Sequence, residues 1–174
     1  MYRRIVTFGL LVALSFAVMP SVLAKGGNAN PPSGDAIQFA QETSDLLLAE
    51  LFAALVQEFS ETTPANVEQG KAAISLVFSD SHTNFRLVGE LEPLGRTAAP
   101  IDDFEEEALA LALQGQGFNG VDRVRGKWYL RTSVPLSNFD VSCSLCHGNF
   151  GPVDPSQFVG GLMLKVPIDT DGQD

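Results

Sequence analysis

The amino-acid sequence predicts an α+β domain in which helices come first and antiparallel strands follow. Apolar residues recur at helical spacing from residue 35 to about residue 80. From Gly120 onward the period changes, and turn-forming residues separate short apolar runs, as in antiparallel strands. Because helices and strands occupy different halves of the chain, the pattern favours an α+β class with one domain.

The first 24 residues have the features of a secretory signal peptide. Arg3 and Arg4 form a short positive region, and an apolar segment without any charge follows from Ile5 to Met19. Pro20 would break a helix, and Val22-Leu23-Ala24 offers small residues for cleavage. An uncleaved membrane anchor is the alternative, because the segment from Ile5 to Ala24 is just long enough to span a bilayer. Cleavage after Ala24 predicts an exported, periplasmic protein.

Length and charge limit the function classes. About 150 residues remain after cleavage, which suits one domain with a core large enough to enclose a cofactor. The formal charge of -10 becomes about -12, because Arg3 and Arg4 are removed and no acid is lost. Such a surface repels nucleic acid and anionic membranes, and it favours a basic partner protein unless it serves only solubility.

Residues 25–34 are rich in Gly, Asn, Pro and Ser, and they predict a flexible lead into the domain. A long amphipathic helix is predicted from Asp35 to about Glu61, with an apolar stripe that faces the core or a helix partner. The stripe comprises Leu48, Leu51, Phe52, Leu55, Val56 and Phe59. Thr63 as N-cap and Pro64 at the first helical position predict a second helix from about Ala65 to Asp80.

The middle of the chain predicts an extended run from Phe85 to Leu91 and then a loop. Asp102 followed by Glu105 resembles a capping box and predicts a third helix through about Gln114. Residues 102–107 contain five acids, which suit the positive end of a helix dipole better than a metal site.

The C-terminal half predicts a hairpin and a closing strand. Val121–Arg125 and Trp128–Leu136 are the predicted hairpin strands, joined by a turn at Gly126-Lys127. A closing strand is predicted from Phe158 to Pro167, and residues 169–174 form a polar tail that we expect to be disordered. Because prolines at positions 135 and 152 flank the only two cysteines, the cysteines are predicted to lie on a loop.

Cys143, Cys146 and His147 form a Cys-x-x-Cys-His motif, the attachment signature of c-type haem. Two thiols at this spacing can both form thioethers with one porphyrin, and the adjacent imidazole can coordinate the iron as proximal ligand. The sequence therefore predicts one covalently attached haem c. Two alternatives remain: a redox disulfide between the cysteines, and a zinc site completed by His147 and His82.

The chain resembles a family of exported haem domains with a Per-Arnt-Sim (PAS)-like fold, largely catalogued as a domain of unknown function. The resemblance rests on Arg96 to Leu109, Trp128-Tyr129-Leu130, the motif loop from Cys143 to Gly148, and Gly160-Gly161-Leu162 to Pro167. It covers about residues 35–168, which we expect to be the PAS-like haem domain. It implies an antiparallel sheet, N-terminal helices packed beside it, and a haem between the motif loop and the helices.

The second axial position differs from the family pattern, which often has a cysteine in the helix before the extended run. Phe78 occupies the matching place. His82 lies four residues further on and is the candidate distal ligand, although the rise of about 6 Å would require the helix to shift. Alternatively Phe78 covers an open iron position, and Met163 is a further candidate ligand.

Softer candidates complete the predicted site. Aromatic residues near the motif could wall the haem or belong to the core, and arginines could pair with its propionates. The aromatic candidates are Trp128, Tyr129, Phe139, Phe150 and Phe158, and the arginine candidates are Arg96, Arg123, Arg125 and Arg131.

Two function classes follow from the sequence. The first is electron transfer or redox sensing by a periplasmic monohaem protein, with a redox or signalling partner. The second is sensing of a gas or small ligand at an open iron position, with the signal passed to a separate partner. An enzyme is not expected, because no distal acid–base pair is evident apart from His82.

Overall fold

The computed structural model describes residues 31–78, 84–89, 99–148 and 150–170. These residues form four helices and four strands in a mixed order. They are α1 (Gly34–Glu61), α2 (Val67–Phe78), β1 (Phe85–Gly89), α3 (Asp103–Ala112), β2 (Phe118–Val124), β3 (Lys127–Asn138), α4 (Val141–Cys146) and β4 (Asp154–Pro167).

The four strands form one antiparallel sheet in the order β1-β4-β3-β2. The long helix α1 packs on one face of this sheet. Its buried Leu48 and Leu55 join Leu130 of β3 and Leu162 of β4 in the larger core cluster. At the middle of α1 the buried Ser44 hydroxyl donates a hydrogen bond of 3.0 Å to Thr132, so a polar pair fixes the helix on the strand.

Helix α3 covers the opposite face of the sheet. Ala108 and Leu109 pack there against Val88 of β1 and Met163 of β4 in a second, smaller cluster. Side chains alternate between the two faces along each strand, so Met163 of β4 belongs to the smaller cluster while its neighbours Leu162 and Leu164 belong to the larger one. The helices and the antiparallel sheet confirm the predicted α+β class.

The long first helix and the third helix are confirmed. Ser33 caps α1 by accepting a hydrogen bond of 3.2 Å from the N–H of Ala36. Asp102 caps α3 as predicted, accepting a bond of 3.0 Å from the N–H of Glu105. The carboxylate of Glu105 accepts in return from the N–H of Ile101, at 3.2 Å.

The start of α2 differs from the prediction. Residues 64–66 form a turn, and the helix begins at Val67. The Asn66 side chain accepts hydrogen bonds from the backbone N–H and the hydroxyl of Thr63, so Thr63 acts as a donor and not as an N-cap acceptor. The carbonyl of Asn66 then accepts the first helical bonds from Gln69 and Gly70.

The hairpin is confirmed, but its turn lies one residue earlier than predicted. Arg125 and Gly126 both have positive φ angles, of 52° and 86°, which is the combination that a two-residue type I′ turn requires. Val124 then pairs directly with Lys127.

The cysteines lie on a helix, so the prediction of a loop was wrong. Pro135 does not end a strand, because β3 continues to Asn138. Pairing of β3 with β2 stops at Ser133, so Pro135 sits where the strand is free on that side and its missing N–H leaves no ladder bond unmade. Asp140 then starts α4 as its N-cap.

Several predictions fall on residues outside the described ranges. These are the signal peptide at residues 1–24, most of the lead at residues 25–34, His82, Arg96 and the end of the polar tail.

Candidate functional site

The motif is carried by α4, a helix of six residues at the end of β3. The Asp140 side chain accepts a hydrogen bond of 2.8 Å from the N–H of Ser142 and so starts the helix. Cys143 and Cys146 are three residues apart, which places both thiols on one side of the helix. The N–H of His147 donates to the Cys143 carbonyl at 2.9 Å and caps the helix. The three motif side chains are therefore grouped by a single helical turn.

Both cysteines have free thiols. Burial raises the pKa of the Cys143 thiol. Hydrogen bonds with the backbone of Phe139 and Asp140 lower this pKa, but they offset the effect of burial only in part. Burial also raises the pKa of Cys146, while the nearby ammonium of Lys71 lowers it and the Glu68 carboxylate raises it. Redox dithiols of the Cys-x-x-Cys kind usually lower the pKa of the attacking cysteine. Burial therefore keeps both thiols protonated near neutral pH.

The His147 imidazole stacks on the ring of Phe150, with centroids 4.7 Å apart and planes at 24°. Burial lowers the pKa of His147, and the positive charge of Lys71 lowers it further. The imidazole is therefore neutral near pH 7, which is the form that binds a metal ion. Among the described residues neither ring nitrogen has a hydrogen-bond partner, so a lone pair is available for a metal ion.

All three motif side chains line one large cleft with a volume of about 1360 Å³. Near the motif its walls are mainly apolar, and they come from α1, α2 and the strands. These wall residues are Phe52, Leu55, Phe59, Ile74, Phe78, Leu87, Leu136, Phe139 and Leu164. The cleft continues onto the opposite face of the sheet, where Asp102, Phe104 and Met163 line it, so its volume is shared between the two faces.

A cluster of three phenylalanine rings joins α1 to the end of β3 beside the motif. The Phe139 centroid lies 6.1 Å from Phe52 and 5.5 Å from Phe59, the latter in an edge-on arrangement. Such pairs favour a fixed mutual orientation. This contact therefore fixes where α4 begins relative to α1.

The segment after the motif is held by Asn138, which is fully buried. Its amide group donates to the carbonyls of Phe150 at 3.3 Å and Pro152 at 2.9 Å, and to the Gln157 side chain at 3.2 Å. The Ser144 hydroxyl donates to the carbonyl of Gly151. These bonds return the chain to the sheet and hold Phe150 beneath His147.

The part of the cleft on the other face of the sheet is lined by Arg86, Asp102, Glu105 and Arg131. Together with Asp122 they form a charge cluster, in which Glu105 and Arg131 are buried. Arg131 is 6% exposed and donates two hydrogen bonds of 2.9 Å to Asp102 and one of 3.1 Å to Asp122. Glu105 lies 3.6 Å from Arg131 and 3.1 Å from Arg86. The charged side chains of the cluster therefore pair with one another.

Three of the arginine candidates for propionate pairing, Arg123, Arg125 and Arg131, lie away from the motif. Arg131 belongs to the charge cluster on the opposite face, and Arg125 lies in the hairpin turn. Arg123 lies 5.9 Å from the Trp128 ring. Arg96 is outside the described residues.

The remaining candidates divide between the two faces of the sheet. Phe78 lines the cleft near the motif, whereas Met163 is buried in the cluster under α3. Phe158 packs against Gly115, where an added Cβ would lie 2.5 Å from its ring. His82, the candidate distal ligand, is outside the described residues, so its role as a ligand stays a prediction.

Two of the acids at the start of α3 have structural roles. Asp102 caps the helix and Glu105 belongs to the charge cluster. Within residues 31–78, 84–89, 99–148 and 150–170, no group of three or more His, Cys, Asp and Glu side chains is arranged to hold an ion. The zinc alternative requires His82, which lies outside these ranges.

Sequence reasoning missed Lys71, the cleft wall residue whose charge reaches both Cys146 and His147. It also missed the contact of Phe52 and Phe59 with Phe139. The helical stripe indicated that α1 has a buried side, but no local signal identifies a contact between segments so far apart in the chain.

No protein-family model matches the chain, and no curated protein matches it either. The PAS-like resemblance therefore stays a prediction. In the part of the chain that the structure describes, no helix is both long and apolar enough to cross a membrane.

Proposed function

We propose that this protein is an exported monohaem c-type protein that transfers single electrons or senses redox state. One observation carries the proposal: Cys143, Cys146 and His147 share the wall of a single large cleft whose nearby surface is mainly apolar. Free thiols, a neutral imidazole and an apolar enclosure are what covalent attachment and axial ligation of a haem need. The residues present therefore fit the group.

The roles of the chain's own residues follow from this fit. The Cys143 and Cys146 thiols would form the two thioether links, and His147 would be the proximal ligand. Phe150 keeps the imidazole ring in a fixed plane, and the phenylalanines of α1 keep water away from the site. When bound, the haem supplies a one-electron couple at its iron. No catalytic residue is proposed.

The wider assignment is part of the same proposal. An antiparallel sheet with a long helix on one face is compatible with the PAS-like haem domain that the sequence resembles. The signal at residues 1–24 supports a periplasmic location, and the acidic charge supports a basic redox or signalling partner.

Covalent attachment is tested by producing the full chain in a host that matures c-type haem and staining it after denaturing electrophoresis. We expect colour to stay with the protein, and to be lost in the variant Cys143→Ser, Cys146→Ser. Extraction of all haem into acidified organic solvent would refute the covalent link. A zinc stoichiometry near one, or a disulfide between the two cysteines, would support the alternatives.

A second function is favoured by Phe78, an apolar side chain on the cleft wall at the place where the family pattern often has a ligand. An open iron position covered by Phe78 would suit sensing of a gas or small ligand. Carbon monoxide binding to the ferrous protein separates the two functions. Slow binding that His82→Ala accelerates supports a six-coordinate redox protein, whereas rapid binding unaffected by His82→Ala supports the sensor.

A further inference from the structure

Lys71 on α2 faces the same cleft as the motif. It lies on one side of the helix with Ile74 and Phe78, at intervals of three and four residues, and all three line the cleft. Its ammonium is 2.8 Å from the carboxylate of Glu68, one turn earlier on the helix. The Lys71 side chain is 42% exposed and that of Glu68 is 78% exposed, so this pair is at the mouth of the cleft.

The other basic residues that line the cleft are placed elsewhere. Arg86 and Arg131 belong to the charge cluster under α3, and Lys165 lies over the Tyr129 ring on the same face. Arg125 and Lys127 are at the hairpin turn, at the opposite end of β3 from α4. Among the described residues, Lys71 is therefore the one Lys or Arg on the cleft wall beside the motif.

Helix α2 contacts α4, the helix that carries the motif, and Lys71 lines the cleft together with Cys146 and His147. Reduction of a haem iron adds one electron and so removes one unit of positive charge from the site. A fixed ammonium nearby disfavours the oxidised state more than the reduced state, because like charges repel.

We propose that the positive charge of Lys71 raises the reduction potential of a haem held by Cys143, Cys146 and His147. The negative charge of Glu68 reduces this effect. This inference rests on the proposed function, because it concerns the same site. Lys71 does not bind the iron in this proposal, because its charge changes the reduction potential through space. Because the pair is partly exposed, the effect depends on salt.

The test is a potentiometric titration of the matured full-length protein, followed by its visible spectrum, with dithionite and ferricyanide as reductant and oxidant. We expect Lys71→Gln to lower the midpoint potential, Lys71→Arg to leave it near the wild-type value, and Glu68→Gln to raise it. Lys127→Gln is the matched control, because it removes one lysine charge far from the motif. The difference between Lys71→Gln and wild type should shrink from 10 mM to 1 M salt, as the Debye length falls from about 30 Å to about 3 Å.

Two results would overturn the inference while leaving the proposed function intact. One is a potential in Lys71→Gln that equals that of the Lys127→Gln control. The other is an altered absorption spectrum in Lys71→Gln, which would show that Lys71 binds the iron directly. A wild-type protein that carries no covalent haem would overturn the proposed function, and this inference with it.

Discussion

Replacing Arg131 by methionine tests the charge cluster on the α3 face. The change removes two hydrogen bonds to Asp102 and one to Asp122, each of which is worth about 1.5–3 kcal/mol between charged groups. Both carboxylates are about two-fifths exposed, so water replaces part of that energy. Glu105 is 3% exposed and keeps Arg86 at 3.1 Å. We expect a loss of about 3 kcal/mol in the free energy of unfolding.

The loss of stability in Arg131→Met should become smaller as the pH is lowered. Burial alone would raise the pKa of Asp102, but its hydrogen bonds and the charge of Arg131 outweigh burial and hold the pKa below the ordinary value of about 3.9. A carboxyl with a lowered pKa stabilises the folded state above its unfolded pKa, and this contribution is lost as pH falls through the folded value. The advantage of the wild type over Arg131→Met should therefore narrow below about pH 4.

Urea unfolding followed by far-ultraviolet circular dichroism measures both effects. With a slope of about 2 kcal/mol/M, a loss of 3 kcal/mol moves the midpoint by about 1.5 M. Lys127→Met is the control, because Lys127 is exposed on the same strand and should change the midpoint little. A midpoint for Arg131→Met within about 0.5 M of wild type, or an equal loss at pH 3 and pH 7, would show that the cluster does not stabilise the fold as argued.

Three further changes test other parts of the domain. Asn138→Leu should cost about 1–3 kcal/mol, because the carbonyl of Phe150 and its neighbours lose their donor, and urea unfolding measures this. Gly160→Ala should cost about 1–3 kcal/mol, because its Cβ would lie 2.5 Å from the Val88 carbonyl of the adjacent strand; thermal unfolding reports the loss. His147→Ala should keep the thioether-linked haem, detected by staining, but change its absorption spectrum through loss of the proximal ligand.

A specific result would contradict each of these three predictions. Gly34→Ala is the control for the sheet glycine, because its Cβ meets nothing within 4 Å, and equal losses at the two sites would exclude steric crowding as the cause. An Asn138→Leu protein as stable as wild type would mean that solvent satisfies the freed carbonyls. An unchanged spectrum in His147→Ala would remove this residue from the axial position.

Local signals in the sequence predicted the long helix, the third helix and the hairpin. The capping pair Asp102 and Glu105 is specific because both partners lie within one turn, and the structure confirms their reciprocal bonds. The turn was misplaced by one residue because Arg125 adopts a positive φ, which its residue type rarely does. Short-range chemistry therefore predicts that an element exists more reliably than where it ends.

The helix that carries the cysteines was missed because six residues are too few for a helical period to show. The N-cap Asp140 was the available signal. The cleft itself could not be predicted, since it depends on the placement of α1 and α2 against the end of β3. Tertiary packing also explains why Arg131 was a candidate for pairing with a propionate. Alternation along β3 shows that Arg131 points to the opposite face from Leu130, but the sequence does not show which residues it meets there.

The strand order has a consequence for how the domain assembles. Strand β4 is the last described strand in the chain, yet it lies between β1 and β3, and Phe85 pairs with Leu164. A chain synthesised or translocated only as far as residue 153 contains no strand that can pair with both β1 and β3. The sheet is therefore completed only after residues 154–167 are present. Such distant pairing slows folding. Both motif thiols precede that segment in the chain, so the helix that carries them is made before the sheet is complete.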